Sequence, residues 1–317
     1  MSPNTTKTAS PLLVVIAFAT VYLVWGSTYF FIRIAEQDGM PPFLLGALRF
    51  TIAGLLLMSW CVIKKEKIFV ARDIVIAAFT GVLLLFVGNG IVIWSEKTLP
   101  SAMVAILVSS APIWFVLLDK PHWSENFKNR STIIGLVIGF GGVILLFSKQ
   151  LGSLFGGTGV SSELPFMLLL VLGSISWSYG SIYAKRKPTS VSGPVGTAWQ
   201  MIIAGIIYIP TALIHGEFNH LHMQAIHPLS WVALAYLVIF GSIAAYSAYV
   251  WLLQVRPATQ VSTYAYVNPV IAVVLGVVFA SEDISLTQMG GLLVILTSVL
   301  LINLAKYRKT RGVLVNG

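Results

Sequence analysis

Apolar windows of about 20 residues recur along the whole chain, separated by short polar connections. At 1.5 Å per residue, each is long enough to cross a hydrocarbon core of roughly 30 Å. The pattern predicts an all-α membrane protein with ten transmembrane helices, over residues 12–34, 43–63, 73–95, 101–118, 132–148, 164–184, 196–214, 230–254, 258–279 and 286–304. Only two connections are long, the glycine-rich 149–163 and 215–229. The first window, Leu12 to Ile34, is too long for the apolar region of a signal peptide and is expected to be a retained span.

The ten windows fall into two similar sets. Trp94, Pro100 and Pro112 match Trp251, Pro257 and Pro269, each displaced by 157 residues. Trp25…Arg33 answers Trp177…Lys185, Ile52-Ala53-Gly54 answers Ile203-Ala204-Gly205, and Gly135-Leu136-Val137-Ile138 answers Gly291-Leu292-Leu293-Val294. Duplicated hydrophobic units mark transporters built from two halves with a site between them. Five spans per unit make the second unit enter the membrane from the opposite side, so the repeats are expected to be inverted.

Composition supports the membrane reading. The chain is 57% hydrophobic and 10% charged, with a mean hydropathy of +0.87, too apolar and too sparsely charged for a soluble domain of this size. A formal charge of +9 could suggest nucleic acid, but the cations sit at span ends, where they set topology. With the N-terminus inside, 16 of the 20 Lys and Arg residues fall on inner segments: Lys7, Lys64, Lys65, Lys67, Arg72, Lys120, Lys128, Arg130, Lys185, Arg186, Lys187, Arg256, Lys306, Arg308, Lys309 and Arg311. Both termini are therefore expected in the cytoplasm. The lone Cys61 excludes an internal disulfide and a cysteine-based metal site, and reads as a packing residue.

Arg49 is the sharpest site candidate. It lies about seven residues into its span, roughly 10 Å deep, where an arginine must face protein or water. It suits a substrate carboxylate or phosphate, or it serves as a structural clamp on backbone carbonyls. Its repeat equivalent is Gln200. Pro112 and Pro269 interrupt equivalent spans and release the carbonyls of Val108 and Ala265. Paired helix breaks point to a transport site, although membrane helices also tolerate proline for packing. Near these breaks lie Ser109, Ser110, Tyr264, Tyr266 and Asn268. Trp25 and Trp177 are too deep for an interfacial belt and are candidates for a cavity wall, as is Tyr246; Trp94 and Trp251 are weaker ones. Asn89, in mid-span, fits a cavity wall or an interhelical hydrogen bond equally. Gly135, Gly139 and Gly142 share a helix face, which suggests close packing or a dimer contact. His215, His220, His222 and His227 read as a solvated loop, so no metal site is expected. There is no Walker loop, nucleophile elbow or intramembrane carboxylate pair in the expected spans, so no cofactor and no catalytic residue is expected.

Trp25-Gly26-Ser27-Thr28-Tyr29-Phe30-Phe31-Ile32-Arg33, Leu48-Arg49-Phe50 and Pro100 to Pro112 resemble the drug/metabolite transporter superfamily, specifically its EamA-type members. Gly241-Ser242-Ile243-Ala244-Ala245-Tyr246, Pro257-Ala258-Thr259 through Asn268-Pro269, and Ser281-Glu282 resemble it more closely. The resemblance implies two inverted five-helix repeats around a central cavity, an EamA-like repeat over 1–150 and a second over 151–317 with a cytoplasmic tail. It also implies export of amino acids or related metabolites across a bacterial cytoplasmic membrane, with import and organellar nucleotide-sugar transport as variants. The chain departs from the family where Asp119-Lys120-Pro121 replaces the usual Gly-Glu of the first repeat.

Together these readings describe a secondary transporter working by alternating access, whose partners are a small-molecule substrate and the lipid bilayer, as a monomer or homodimer. An importer or facilitator, or a membrane-embedded enzyme, is the alternative. The expected span interiors offer almost no carboxylate for a proton relay, which favours a facilitator or exchanger.

Overall fold

The structure, a computed structural model, describes residues 9–37, 39–99, 101–146, 148, 160–219, 226–280 and 285–315. Within these residues every regular element is helical. Pro100, His220, His222, Ser281 and Glu282, singled out in the sequence, lie outside the described residues.

The helices are α1 (Pro11–Gln37), α2 (Pro42–Ile63), α3 (Ala71–Glu96), α4 (Ser101–Val108), α5 (Ala111–Leu118), α6 (Trp123–Lys128), α7 (Arg130–Leu146), α8 (Val160–Arg186), α9 (Gly193–Ile214), α10 (Pro228–Val255), α11 (Ala258–Val261), α12 (Tyr264–Ala280) and α13 (Leu286–Val315). Six of them (α1, α2, α3, α8, α9 and α10) are long and apolar enough to cross a membrane. The fourth expected span is broken instead: Val104–Leu118 is followed by Lys120–Lys128 at a bend of 74°. The ninth breaks at Ser262-Thr263, between α11 and α12.

Burial follows helical spacing. In α1, Val14, Ala17, Val21, Trp25, Tyr29 and Ile32 form one buried stripe, while Leu12, Leu13, Val15, Ile16 and Leu23 are exposed. An exposed side that is itself apolar suits lipid rather than water.

Two helix pairs hold the repeats together through reciprocal glycine contacts. In α2 and α9, a Cβ on Gly54 would lie 2.8 Å from the Ile202 amide nitrogen, and one on Gly205 would meet Thr51. Gly54 and Gly205 are repeat equivalents, as are Thr51 and Ile202. In α7 and α13, Gly142 meets Ile295 while Gly139 meets Ser298. The glycine face of α7 is thus an intrachain packing face, which settles the alternative left by the sequence. Cys61 is fully buried and free.

One end of the molecule is tied by charge. Asp73 accepts hydrogen bonds from Ser190 N (2.7 Å), Ser190 Oγ (2.7 Å) and Val191 N (3.0 Å). Glu66 accepts from Ser192 Oγ, and Asp119 pairs with Arg186 and with His122. Lys185 Nζ donates to the carbonyls of Leu253 and Arg256, covering the C-terminus of α10. At the opposite end Glu217 accepts from Phe43 N (3.1 Å) and Leu44 N (2.8 Å), capping the first turn of α2.

Candidate functional site

Two helices depart from α geometry beside the centre of the bundle. Val82–Gly88 of α3 and Leu237–Tyr246 of α10 are π-helical. A π-helical turn displaces backbone groups from the regular ladder, and such segments often mark functional sites. Side chains from elsewhere reach these carbonyls. Ser176 Oγ donates to Leu83 O (2.8 Å), Tyr208 Oη to Leu85 O (2.8 Å), and Trp25 Nε1 to Gly241 O (3.2 Å). Neither π segment is marked in the hydropathy pattern: Val82–Gly88 is a continuous apolar run, and Leu237–Tyr246 is one but for Ser242.

Between these segments lies a cavity of about 730 Å³ of empty space, part of it continuous with the surroundings. Its walls include Trp25, Thr28, Tyr29, Arg49, Asn89, Ser174, Trp177, Gly241, Tyr246, Tyr264 and Asn268. Arg49 is 3% exposed. Its Nε donates to Ser242 Oγ at 2.9 Å, and its guanidinium carbon lies 4.9 Å from the Phe50 ring centre. Its Nη1 is buried and has no partner among the described residues. Asn89 Oδ1, Asn268 Oδ1 and Ser174 Oγ are likewise buried and unpartnered. The cavity thus offers one cationic donor and several acceptor oxygens, all unsatisfied, in an aromatic wall.

That wall is cross-braced. Trp25 packs edge-on to Trp177 (centroids 5.4 Å apart) and to Tyr264 (4.9 Å). Trp177 Nε1 donates to Tyr249 Oη at 2.9 Å, and Tyr249 Oη shares a 2.6 Å hydrogen bond with Ser181. Ser181 and Arg186 follow Trp177 along α8, so these rings lie between the cavity and the Asp119–Arg186 end.

Several residues expected in the cavity lie elsewhere. Gln200 is absent from the lining: it donates to Thr80 Oγ1 (2.7 Å) and accepts from Tyr246 Oη (3.0 Å), bracing a wall residue from behind. Ser109 and Ser110 form the turn between α4 and α5, and Val108 and Ala111 line the cavity in their place. Ser110 Oγ donates to Leu107 O (2.7 Å). Ser109 Oγ donates to Ala105 O (2.7 Å) and Ala265 O (2.8 Å). Ala265 O is the carbonyl that Pro269 releases, so a serine of one repeat serves the proline break of the other. The two prolines also differ in place. Pro112 follows directly on its helix break, whereas Pro269 lies inside α12. Trp94 packs against Phe43 and Phe166, away from the cavity.

Ser242, Gly241 and Tyr249 were not singled out as site residues by the sequence. Ser242 and Gly241 stand out only once α10 is placed beside α2. A Cβ on Gly241 would lie 3.1 Å from Arg49 Nη2 and 3.3 Å from Thr28 Cγ2, so the glycine makes room for the guanidinium.

A helical bundle with an apolar exterior, repeated halves and a polar, unsatisfied central cavity defines a membrane transport protein. The sequence matches the EamA-like transporter family over residues 12–148 and 164–304, and the chain belongs to that family, within the drug/metabolite transporter superfamily. It is similar to the uncharacterized inner membrane transporter YedA of Escherichia coli K12, with 36% identity over 294 residues covering 92% of this chain and 90% of that one. It is also similar to the uncharacterized transporter YvbV of Bacillus subtilis, with 24% identity and coverage of 98% and 97%. A solved crystal structure shares its fold, with a TM-score of 0.73 at 20% identity over 94% of this chain and 99% of that one.

Proposed function

We propose that this transporter exports a small anionic or zwitterionic metabolite, an amino acid or a close relative, across a bacterial cytoplasmic membrane by alternating access. The observation that carries the reading is Arg49, almost fully buried, with Nη1 unsatisfied at the wall of an aromatic cavity. A guanidinium held by Ser242 on one side has its other edge free for a carboxylate. Arg49, Trp25, Asn89, Trp177, Tyr246, Tyr264 and Asn268 bind the substrate in this scheme; Gln200, Ser109 and Ser110 support it from behind.

The architecture we propose is ten spans in two inverted repeats, 1–150 and 151–317, with both termini in the cytoplasm. The basic end bearing Arg186 and Arg256 then faces the cytoplasm, and the end bearing Glu36, Glu96 and Glu217 faces outward. In this scheme the aromatic wall and the Asp119–Arg186 pair lie on the cytoplasmic side of the substrate site. The test is metabolite profiling of the medium from cells overproducing the protein, beside Arg49→Ala and Arg49→Lys variants matched for membrane abundance. Enrichment of specific anionic or zwitterionic metabolites, lost in Arg49→Ala, supports the reading. Equal enrichment in all three removes Arg49 from it.

A further inference from the structure

Two helix faces meet across a second space at the basic end. On α3, Asp73, Ala77 and Thr80 lie at i, i+4 and i+7, which is one face. On α9, Gly193, Gly196, Thr197 and Gln200 keep the same spacing. Between the two faces is about 900 Å³ of empty space, part of it continuous with the surroundings. Gln200 separates this space from the central cavity. It donates to Thr80 Oγ1, which faces the same space, and it accepts from Tyr246 Oη, whose ring lines the cavity. Thr80, Gln200 and Tyr246 are thus a hydrogen-bonded wall between two chambers.

Glycines make the outer chamber. A Cβ on Gly196 would meet nothing within 4 Å, and one on Gly193 would stop 3.8 Å from Gln254 Nε2 on the opposite wall. The matching positions of the first repeat are filled. Leu45, the counterpart of Gly196, is fully buried, and Gly46, the counterpart of Thr197, rests on the Tyr208 ring. The chamber also holds an unmet polar group. Thr197 is 1% exposed, and its Oγ1 has no hydrogen-bond partner among the described residues. A buried hydroxyl without a partner carries a desolvation cost that a bound ligand can offset. Two features suit an anionic group. The first turn of α9 opens on the chamber, and Lys187 stands in its wall. Asp73 is the one carboxylate of the wall among the described residues, and its Oδ2 is occupied by Ser190 and Val191.

We propose that this chamber is a second substrate site, where a small anionic or zwitterionic metabolite is held before it enters the central cavity. Its carboxylate lies towards Lys187 and the first turn of α9, and Thr197 and Gln200 bind its remaining polar groups. Passage inward then requires the Gln200–Tyr246 hydrogen bond to part. The cargo and its direction rest on the export reading; the existence of the site does not.

Labelling of the full-length protein in membranes reads the site without transport. Gly196→Cys is made in a Cys61→Ala background, since Cys61 is the one native thiol. A membrane-impermeant maleimide is expected to label it in inside-out vesicles and to leave it unlabelled in right-side-out ones. An equimolar mixture of L-amino acids is expected to protect it, and to protect it equally when Arg49→Ala is added. Thr197→Val removes an unpartnered hydroxyl, and the concentration for half-protection is expected to rise about fivefold. No labelling from the inner face, no protection, or protection lost with Arg49→Ala overturns the second site. In the last case only the central cavity would bind. Gly196→Leu tests the route, because it occupies the chamber and favours the helix. At equal membrane abundance it is expected to abolish amino-acid release into the medium. Release equal to the wild type overturns a place for the chamber on the export route. A wild type that releases no amino acid removes the export reading instead, and protection of Gly196→Cys then supports the site by itself.

Discussion

Ser109 and Pro269 offer a thermodynamic test of how the two repeats serve one another. Pro269 has no N–H, so Ala265 O loses its helical partner, and Ser109 Oγ supplies a substitute at 2.8 Å. Ser109→Ala removes that donor. A buried acceptor left unsatisfied costs about 1–3 kcal/mol. Two features reduce the figure here. The serine proton is shared with Ala105 O at 2.7 Å, and hydrogen bonds between membrane helices average only about 0.6 kcal/mol. The expected loss is about 1 kcal/mol. Pro269→Ala restores an N–H four residues after Ala265, so in that background Ala265 O regains a backbone partner and Ser109→Ala is expected to cost less than about 0.5 kcal/mol. Reversible unfolding in mixed micelles of the wild type, both single variants and the double variant completes the cycle. Equal costs of Ser109→Ala in the two backgrounds would refute the reasoning, because the serine would then not be serving the proline break.

Gly241→Ala places a Cβ 3.1 Å from Arg49 Nη2; it is expected to reduce metabolite export while leaving membrane abundance unchanged, as read by profiling and immunoblot. Gly139→Val drives a branched side chain into Ser298 and to within 2.7 Å of the Tyr266 ring, and overpacking of about 1–3 kcal/mol or more should lower the yield of monodisperse protein in detergent. Asp119→Asn removes the partner of Arg186, a part-exposed pair worth up to about 1 kcal/mol. Maleimide labelling of a cysteine placed at the buried Ser181 is expected to rise by up to about fivefold; no rise would refute a role for the pair in limiting access to that position.

Much of the helical layout was legible because membrane helices announce themselves by length and hydropathy. Six of the expected spans coincide with helices long and apolar enough to cross a membrane, and the other four with shorter or broken helical segments among the described residues. The ends were less legible. The window that ends at 34 stops where polarity rises, yet α1 runs to Gln37 and α3 to Glu96, since backbone hydrogen bonding outlasts the apolar run. That is why Glu36 and Glu96, half-buried residues with buried carboxylate oxygens, escaped notice. Arg49, Trp25 and Trp177 could be found from depth alone. Ser109, Ser110 and Gln200 could not be placed, because a polar residue in a membrane helix can face a cavity or serve a neighbouring backbone, and only the packing decides. The π segments have no hydropathy signature at all.

The reciprocal contact of α2 with α9 bears on how a charge came to sit at the centre. Gly54 rests on Ile202 and Gly205 on Thr51, the pairing that a two-fold axis would make between identical copies. Arg49 and Gln200 occupy matching positions along these helices, each five residues ahead of the glycine of that contact and on opposite sides of the axis. An assembly of two identical chains has no means of placing arginine on one side alone; it must carry two cations or none. Joining the halves in one polypeptide lifts that constraint. One copy keeps the guanidinium, and the other takes a neutral amide that braces Tyr246. Fusion thus lets a frame of matching halves keep a single buried charge beside its central cavity.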